Sequence, residues 1–218
     1  MKKRNRVISF KYFIYDFIRV SAIPGILWFR PKKYYLNPED KHPIKGGALV
    51  ISNHITLFDP MYLMLSIKSR RHHCICMEEL FAKNKVKRWI FEKGFLCLPI
   101  NREKVTFEQI KNIIAHLKAG DFVTMFPEGK INEDKSTGVQ EFKSGMVMMA
   151  MRGGVPIIPV YLKRRKHFYS RLELAIGSPI DVSKFKAGSS ATPEEVAKCC
   201  AYIVEKEKEL EKFFEDKK

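Results

Sequence analysis

An α/β fold, with a mixed, largely parallel central sheet flanked by helices, is the architecture this sequence predicts. Three observations carry the prediction. Apolar, β-rich runs alternate with helical stretches along the chain, the order that builds strand–helix–strand units. Several runs are apolar at nearly every position, Ala48-Leu49-Val50-Ile51 among them, as strands become when helices cover both faces of a sheet. Polar clusters then follow the runs directly, where open α/β sheets gather their functional groups.

Strands are expected at Ala48–Ser52, His73–Met77, Phe95–Ile100, Phe122–Phe126, Ile157–Leu162 and Leu172–Ile176. Helices are expected at Met61–Lys68, Val86–Glu92, Glu103–Leu117, Phe142–Arg152 and Thr192–Glu215. With no internal repeat or interdomain linker in view, residues 46–218 read as one α/β domain closed by a C-terminal helix. Residues 1–45 read as a separate basic and aromatic segment.

That segment begins Met1-Lys2-Lys3-Arg4, but Lys11, Asp16 and Arg19 interrupt the apolar stretch behind it. The charges argue against a signal peptide and against an uninterrupted membrane span. Helical periodicity remains: Phe10, Phe13, Ile14, Phe17, Ile18 and Ser21 fall on one side, with Lys11, Tyr12, Tyr15, Asp16 and Arg19 on the other. Pro24-Gly25 breaks the helix, and Ile26 to Leu36, "ILWFRPKKYYL", has the Trp, Tyr and Lys/Arg mix of a membrane-interface segment. The expectation is a peripheral, surface-lying element on the cytoplasmic face of a membrane.

Composition agrees with a folded domain: 218 residues, 45% hydrophobic and 29% charged. The net charge of +16 says more about partners than about fold. It suits an anionic membrane surface, a phosphorylated ligand or an acidic protein. Nucleic acid suits the charge as well, but it is not expected as a partner because no nucleic-acid motif accompanies it; a basic nucleic-acid-binding protein is the distant alternative. The excess is concentrated early, with eleven Lys/Arg against three acids up to Lys45, while the C-terminal helix is close to neutral. The "KRRKH" run, Lys163 to His167, reads as solvated or headgroup-facing.

Five cysteines, Cys74, Cys76, Cys97, Cys199 and Cys200, make no even disulfide framework and read as reduced cytoplasmic thiols. No metal is expected: the "HHCIC" run, His72 to Cys76, alternates like a strand, and no second ligand cluster stands beside it in the sequence.

The chemistry is sharpest in "SNHITLFDP", Ser52 to Pro60. A connecting loop has use for Asp59 and Pro60, as helix cap and first helical residue, but none for a histidine. Along a regular helix, residues five apart point about 140° away from each other. His54 is therefore expected in the turn and Asp59 at the helix start, folded together as base and orienting carboxylate. No G-x-S-x-G elbow supplies a protein nucleophile. The base then serves the substrate's own hydroxyl, as in transfer of an acyl or phosphoryl group to an alcohol. "INR", Ile100 to Arg102, and "FPEGK", Phe126 to Lys130, follow two other strands. Arg102 offers a forked phosphate clamp, and Pro127 and Gly129 expose Glu128 and Lys130 on a tight turn. Lys143 precedes Gly145 at a helix start, where anions are favoured.

Together and in this order, these blocks resemble the glycerolipid acyltransferase family. "NHITLFD" resembles its N-H-x-x-x-x-D motif, "GFLCLPINR" its arginine-ended second block, "FPEGK" its F-P-E-G-T-R-S block and "VPIIPV" its fourth, over roughly Leu49 to Val160. The resemblance implies acyl transfer from acyl carrier protein or coenzyme A thioester, with no bound cofactor, to a lysophospholipid hydroxyl, foremost that of 1-acyl-sn-glycerol-3-phosphate to give phosphatidic acid. It implies His54 as general base and Asp59 as its partner. Asn53, Arg102, Glu128, Gly129, Lys130 and Lys143 are expected to bind substrate. One departure stands out: Lys130-Ile131-Asn132 replaces Thr-Arg-Ser, keeping a charge but not the bidentate fork. That leaves another lysophospholipid or alcohol as an alternative acceptor. A hydrolase using His54 to activate water is the rival chemistry.

Overall fold

Among the described residues, seven strands form a single sheet in the order β1-β7-β6-β2-β5-β3-β4, every neighbouring pair parallel except the antiparallel β6–β7. The strands are β1 (Lys32–Tyr35), β2 (Ala48–Ser52), β3 (His72–Met77), β4 (Leu98–Ile100), β5 (Phe122–Met125), β6 (Ile157–Lys163) and β7 (Glu173–Ile176). Helices α1 (Phe13–Ser21), α2 (Asp59–Ser66), α3 (Lys85–Trp89), α4 (Phe107–Ala119), α5 (Gly145–Gly153) and α6 (Pro193–Glu215) surround it. This computed structural model describes residues 12–21, 31–41, 44–67, 70–80, 84–101, 104–133, 142–165, 167, 170–188 and 190–217.

β2 shows why the sheet holds. Buried at every position, it sends alternate side chains to two cores, as the twofold strand repeat requires. Leu49 and Ile51 join Val123 and Ile157 beneath Ile113 and Leu117 of α4, Met146 and Val147 of α5, and Ile203 of α6. Ala48 and Val50 meet Ile158, Val160 and the α2 residues Tyr62 and Leu63 on the other face. Each fully buried Leu, Ile, Val or Met among them stabilises by about 1.5–3 kcal/mol. Helix starts follow local chemistry. Thr106 with Gln109 and Thr192 with Glu195 form reciprocal capping boxes, which set the first turns of α4 and α6.

The predicted elements are present, with shifted ends and one addition. The strand expected from Phe95 begins only at Leu98. Before it, α3 runs on into a wide turn over Ile90–Gly94, Cys97 N–H bonds back to Phe91 O at 3.0 Å, and Leu96 takes φ +50°. The addition is β1. Lys32–Tyr35, read as membrane-interface sequence, is an edge strand parallel to β7. The sheet thus takes in part of the segment 1–45. Residues 22–30, which include the Pro24-Gly25 break, lie outside the described residues.

α1 is set with its polar side inward. Tyr15 and Asp16 are buried, while Phe13 and Phe17 remain 53% and 57% exposed. Asp16 Oδ1 and Oδ2 accept from Arg71 Nε and Nη2 at 3.1 and 2.7 Å, and Tyr15 Oη accepts the His72 N–H at 3.1 Å. Among the described residues, no helix is long and apolar enough to cross a membrane.

Two expectations follow for stability. Asp16→Ala leaves the buried Arg71 guanidinium without its carboxylate, which costs about 3–5 kcal/mol; a lowered urea midpoint checks it. Glu207 of α6 is wholly buried. Burial pushes its carboxyl well above the ordinary 4.5, and the nearby Glu128 charge adds to the shift. A raised folded-state value favours the fold while the group is protonated in both states. That advantage is lost as pH rises from about the ordinary value through the folded one. Glu207→Gln is therefore expected to raise Tm more at pH 8 than at pH 4, in thermal melts across that range.

Candidate active site

β2 ends at Ser52, and the chain turns sharply before α2. The turn is organised by one carboxylate. Asp59 is fully buried, and its Oδ2 accepts from Ile55 N–H at 2.6 Å, Thr56 N–H at 2.9 Å and His54 Nδ1 at 2.8 Å. Thr56 Oγ1 donates to Oδ1 at 2.7 Å. An oxygen already taking two amide protons acts as acceptor towards the imidazole, so Nδ1 carries the hydrogen and Nε2 is left basic. Asp59 opens α2 as its first residue, with Phe58 in the cap position and no side-chain cap bond. The carboxylate reaches back to the turn, so the cap role expected of it gives way to the orienting one.

β5 lies beside β2, pairing Ile51 with Met125, so the segment after β5 meets this turn. The Phe126 ring stacks on the His54 imidazole at 4.2 Å between centroids and 19° between planes. Asn132 N–H donates to His54 O at 2.7 Å, tying the two loops together. Gly129 adopts φ +79°, a left-handed conformation that favours glycine. A β-carbon there would meet Lys143 Cε and Nζ at 3.6 Å, so the ammonium lies directly over the turn. Glu128 is buried next to it, and Lys130 is exposed.

The expected residues therefore separate by role. His54 and Asp59 come together, and Glu128, Gly129 and Lys143 come together on the adjoining strand end. Asn53 is buried, and its amide makes a strand-like pair: Nδ2 donates to Leu162 O at 3.0 Å, and Oδ1 accepts Leu162 N–H at 2.7 Å. The side chain thereby locks the His54–Asp59 turn to β6. Arg102 lies outside the described residues. β3 separates β4, which precedes Arg102, from β5.

Two residues beyond the expected set reach this region. β6 is the other neighbour of β2, so Arg164 and Arg165 of the basic run leave the sheet beside the turn. Arg164 donates to Asn132 O. Arg165 donates to Tyr62 Oη and stands over that ring. The sequence signal was the basic run itself, but its destination depended on strand order. The thiols of Cys76 and Cys97 approach to 3.0 Å. Cys74 is pushed up by the hydrogen bond with Cys76 and by burial.

Comparison with known proteins agrees with this chemistry. The Acyltransferase family model matches residues 34–163. The chain is similar to the 1-acyl-sn-glycerol-3-phosphate acyltransferase of Streptococcus pneumoniae, 27% identical over 190 residues, covering 84% of this chain and 69% of that protein. The Bacillus subtilis protein of the same name is 28% identical over 173 residues, covering 76% and 82%. In fold, the chain resembles the crystal structure of the 1-acyl-sn-glycerophosphate acyltransferase of Thermotoga maritima. The TM-score is 0.64 at 22% identity, over 98% of this chain and 83% of that one. With the family match covering the His54–Asp59 turn and the strands on either side of it, this chain belongs to the Acyltransferase family.

Proposed function

We propose that this acyltransferase moves a fatty acyl group from an acyl thioester to the free hydroxyl of 1-acyl-sn-glycerol-3-phosphate, giving phosphatidic acid. The observation that carries the reading is the His54 Nδ1–Asp59 Oδ2 bond of 2.8 Å, since it leaves Nε2 to take the hydroxyl proton. The hydroxyl oxygen then attacks the thioester carbonyl. The tetrahedral adduct collapses with loss of the thiolate, and the imidazolium returns the proton to that sulfur. Asp59 stabilises the imidazolium between the two proton transfers.

The relatives named above support the acceptor. A phosphate headgroup suits the positive charge that Lys143, Arg164 and Arg165 bring to the site. Arg102 is assigned to the same headgroup from its place in the sequence block. Acyl carrier protein and coenzyme A thioesters are both donors in this reading, and the net charge of +16 favours an acidic carrier. The replacement of Thr-Arg-Ser by Lys130-Ile131-Asn132 is the one observation favouring a different lysophospholipid.

In the same proposal, the enzyme lies on the cytoplasmic face of an anionic membrane. Leu57 and Phe58, 73% and 60% exposed, stand on the catalytic turn, while Phe13, Phe17 and Trp89 are also exposed. Apolar side chains amid basic ones suit the interface between headgroups and acyl chains.

Acyl transfer is measured with labelled thioester and a panel of lysophospholipids. His54→Ala is expected to lower the rate by roughly 10²–10⁴-fold, and Asp59→Asn by up to roughly 10⁴-fold, through the wrong tautomer. Equal activity in His54→Ala sinks the mechanism, and thioester loss without an acceptor points to the hydrolase instead. Phe13→Asp with Phe17→Asp is expected to weaken co-sedimentation with anionic vesicles at least about tenfold. Failure of the parent protein to bind such vesicles overturns the membrane reading.

A further inference from the structure

The "HHCIC" run has a second half in space. His73, the second residue of β3, meets His116 of the last turn of α4 and Asp121, which directly precedes β5. Their donor atoms all lie within 4.8 Å of one another. His116 Nδ1 is 2.9 Å and His73 Nε2 3.6 Å from the same oxygen, Asp121 Oδ2, and the two imidazoles are 4.2 Å apart between centroids. This cluster sits at the amino ends of the parallel strands, the opposite end of the sheet from His54, which follows the carboxyl end of β2.

Local backbone chemistry builds it. "HLKAGD", His116 to Asp121, closes α4 in a Schellman motif: Gly120, at φ +90°, donates to Leu117 O, and Asp121 N–H donates to His116 O. The motif brings its first and last side chains together, a place commonly filled by an apolar pair. Here an imidazole and a carboxylate occupy it. The strand pairing of His73 with Val123 then delivers the third group from another part of the chain. His72 is excluded from the cluster. Its Nε2 donates to Ile67 O at 3.1 Å, and its Nδ1 accepts from Thr124 Oγ1 at 2.8 Å.

We propose that His73, His116 and Asp121 form a binding site for a divalent transition-metal ion of zinc-like chemistry, separate from the acyl-transfer centre. Two imidazoles and one carboxylate suit zinc, cobalt or nickel far better than magnesium or calcium. Tetrahedral bonds of 2.0–2.2 Å place donors about 3.3 Å apart, and the distances of 2.9 and 3.6 Å bracket that value. The negative carbonyl end of α4 adds a favourable field for a cation. His73 is buried, whereas His116 and Asp121 are 28% and 31% exposed, which gives an entry path and room for a water as fourth ligand. The ion would fasten the end of α4 to β3 and β5.

Full-length protein stripped with a chelator and dialysed is titrated with Zn²⁺ by calorimetry, and with Co²⁺ by visible absorption. Expected are one ion per chain, a tetrahedral cobalt spectrum and a rise in Tm of about 5–10 °C at zinc a hundredfold above Kd. Asp121→Asn, which keeps the side-chain shape, and His116→Ala are each expected to weaken binding at least about tenfold. Cys76→Ser with Cys97→Ser is expected to leave it unchanged. No zinc-dependent shift in Tm means a hydrogen-bonded cluster only and overturns the site. Full affinity in Asp121→Asn, or loss of binding in the cysteine variant, overturns it equally.

Discussion

The buried carboxylate of Asp59 is the constraint on which the rest of the site depends. A carboxylate without water needs its lone pairs met by donors, and here two backbone amides, one hydroxyl and one imidazole meet them. Those donors come from His54 to Thr56, so satisfying the charge also folds the turn. The same bonds that make burial tolerable set the imidazole in the tautomer that the proposed mechanism uses. In that mechanism structural and catalytic roles cannot be separated at this residue, because one oxygen serves both.

Around that turn, strand order does what sequence distance obscures. β2 lies between β5 and β6 with all three parallel, so their carboxyl ends open on one side. Phe126 reaches His54 from β5, Asn53 grips Leu162 at the far end of β6, and Arg164 bonds the Asn132 carbonyl between them. The turn is thus held from both flanks by groups that are themselves hydrogen-bonded or stacked. Such support would keep the proposed base within the small tolerances that proton transfer demands.

How much of this was legible depended on whether the signal was local. β2 was readable to its exact ends, because burial on both faces leaves an unbroken apolar run. The His54–Asp59 pairing followed from five residues of spacing and the geometry of a turn. β1 was missed because Lys32-Lys33-Tyr34-Tyr35, partly exposed at the sheet edge, has the composition of an interfacial segment and not of a core strand. The anchoring role of Asn53 was hidden for a related reason: its partner lies 109 residues away, and the motif does not reveal that its amide imitates a strand. His116 and Asp121 escaped notice beside His73 because only the pairing of β3 with β5 joins them.

Charge placement in the acceptor region follows the same physics. Lys130 stands close to where the family block carries its arginine, yet it is exposed and lacks a fork. Lys143 instead lies over Gly129, while Arg164 and Arg165 approach from β6. A phosphate responds to the summed field of nearby cations as well as to any bidentate partner. In our reading, the bidentate fork missing from the block is offset by cations of two other segments. Burial lowers the proton affinity of Arg165, and the Asp59 charge opposes that shift.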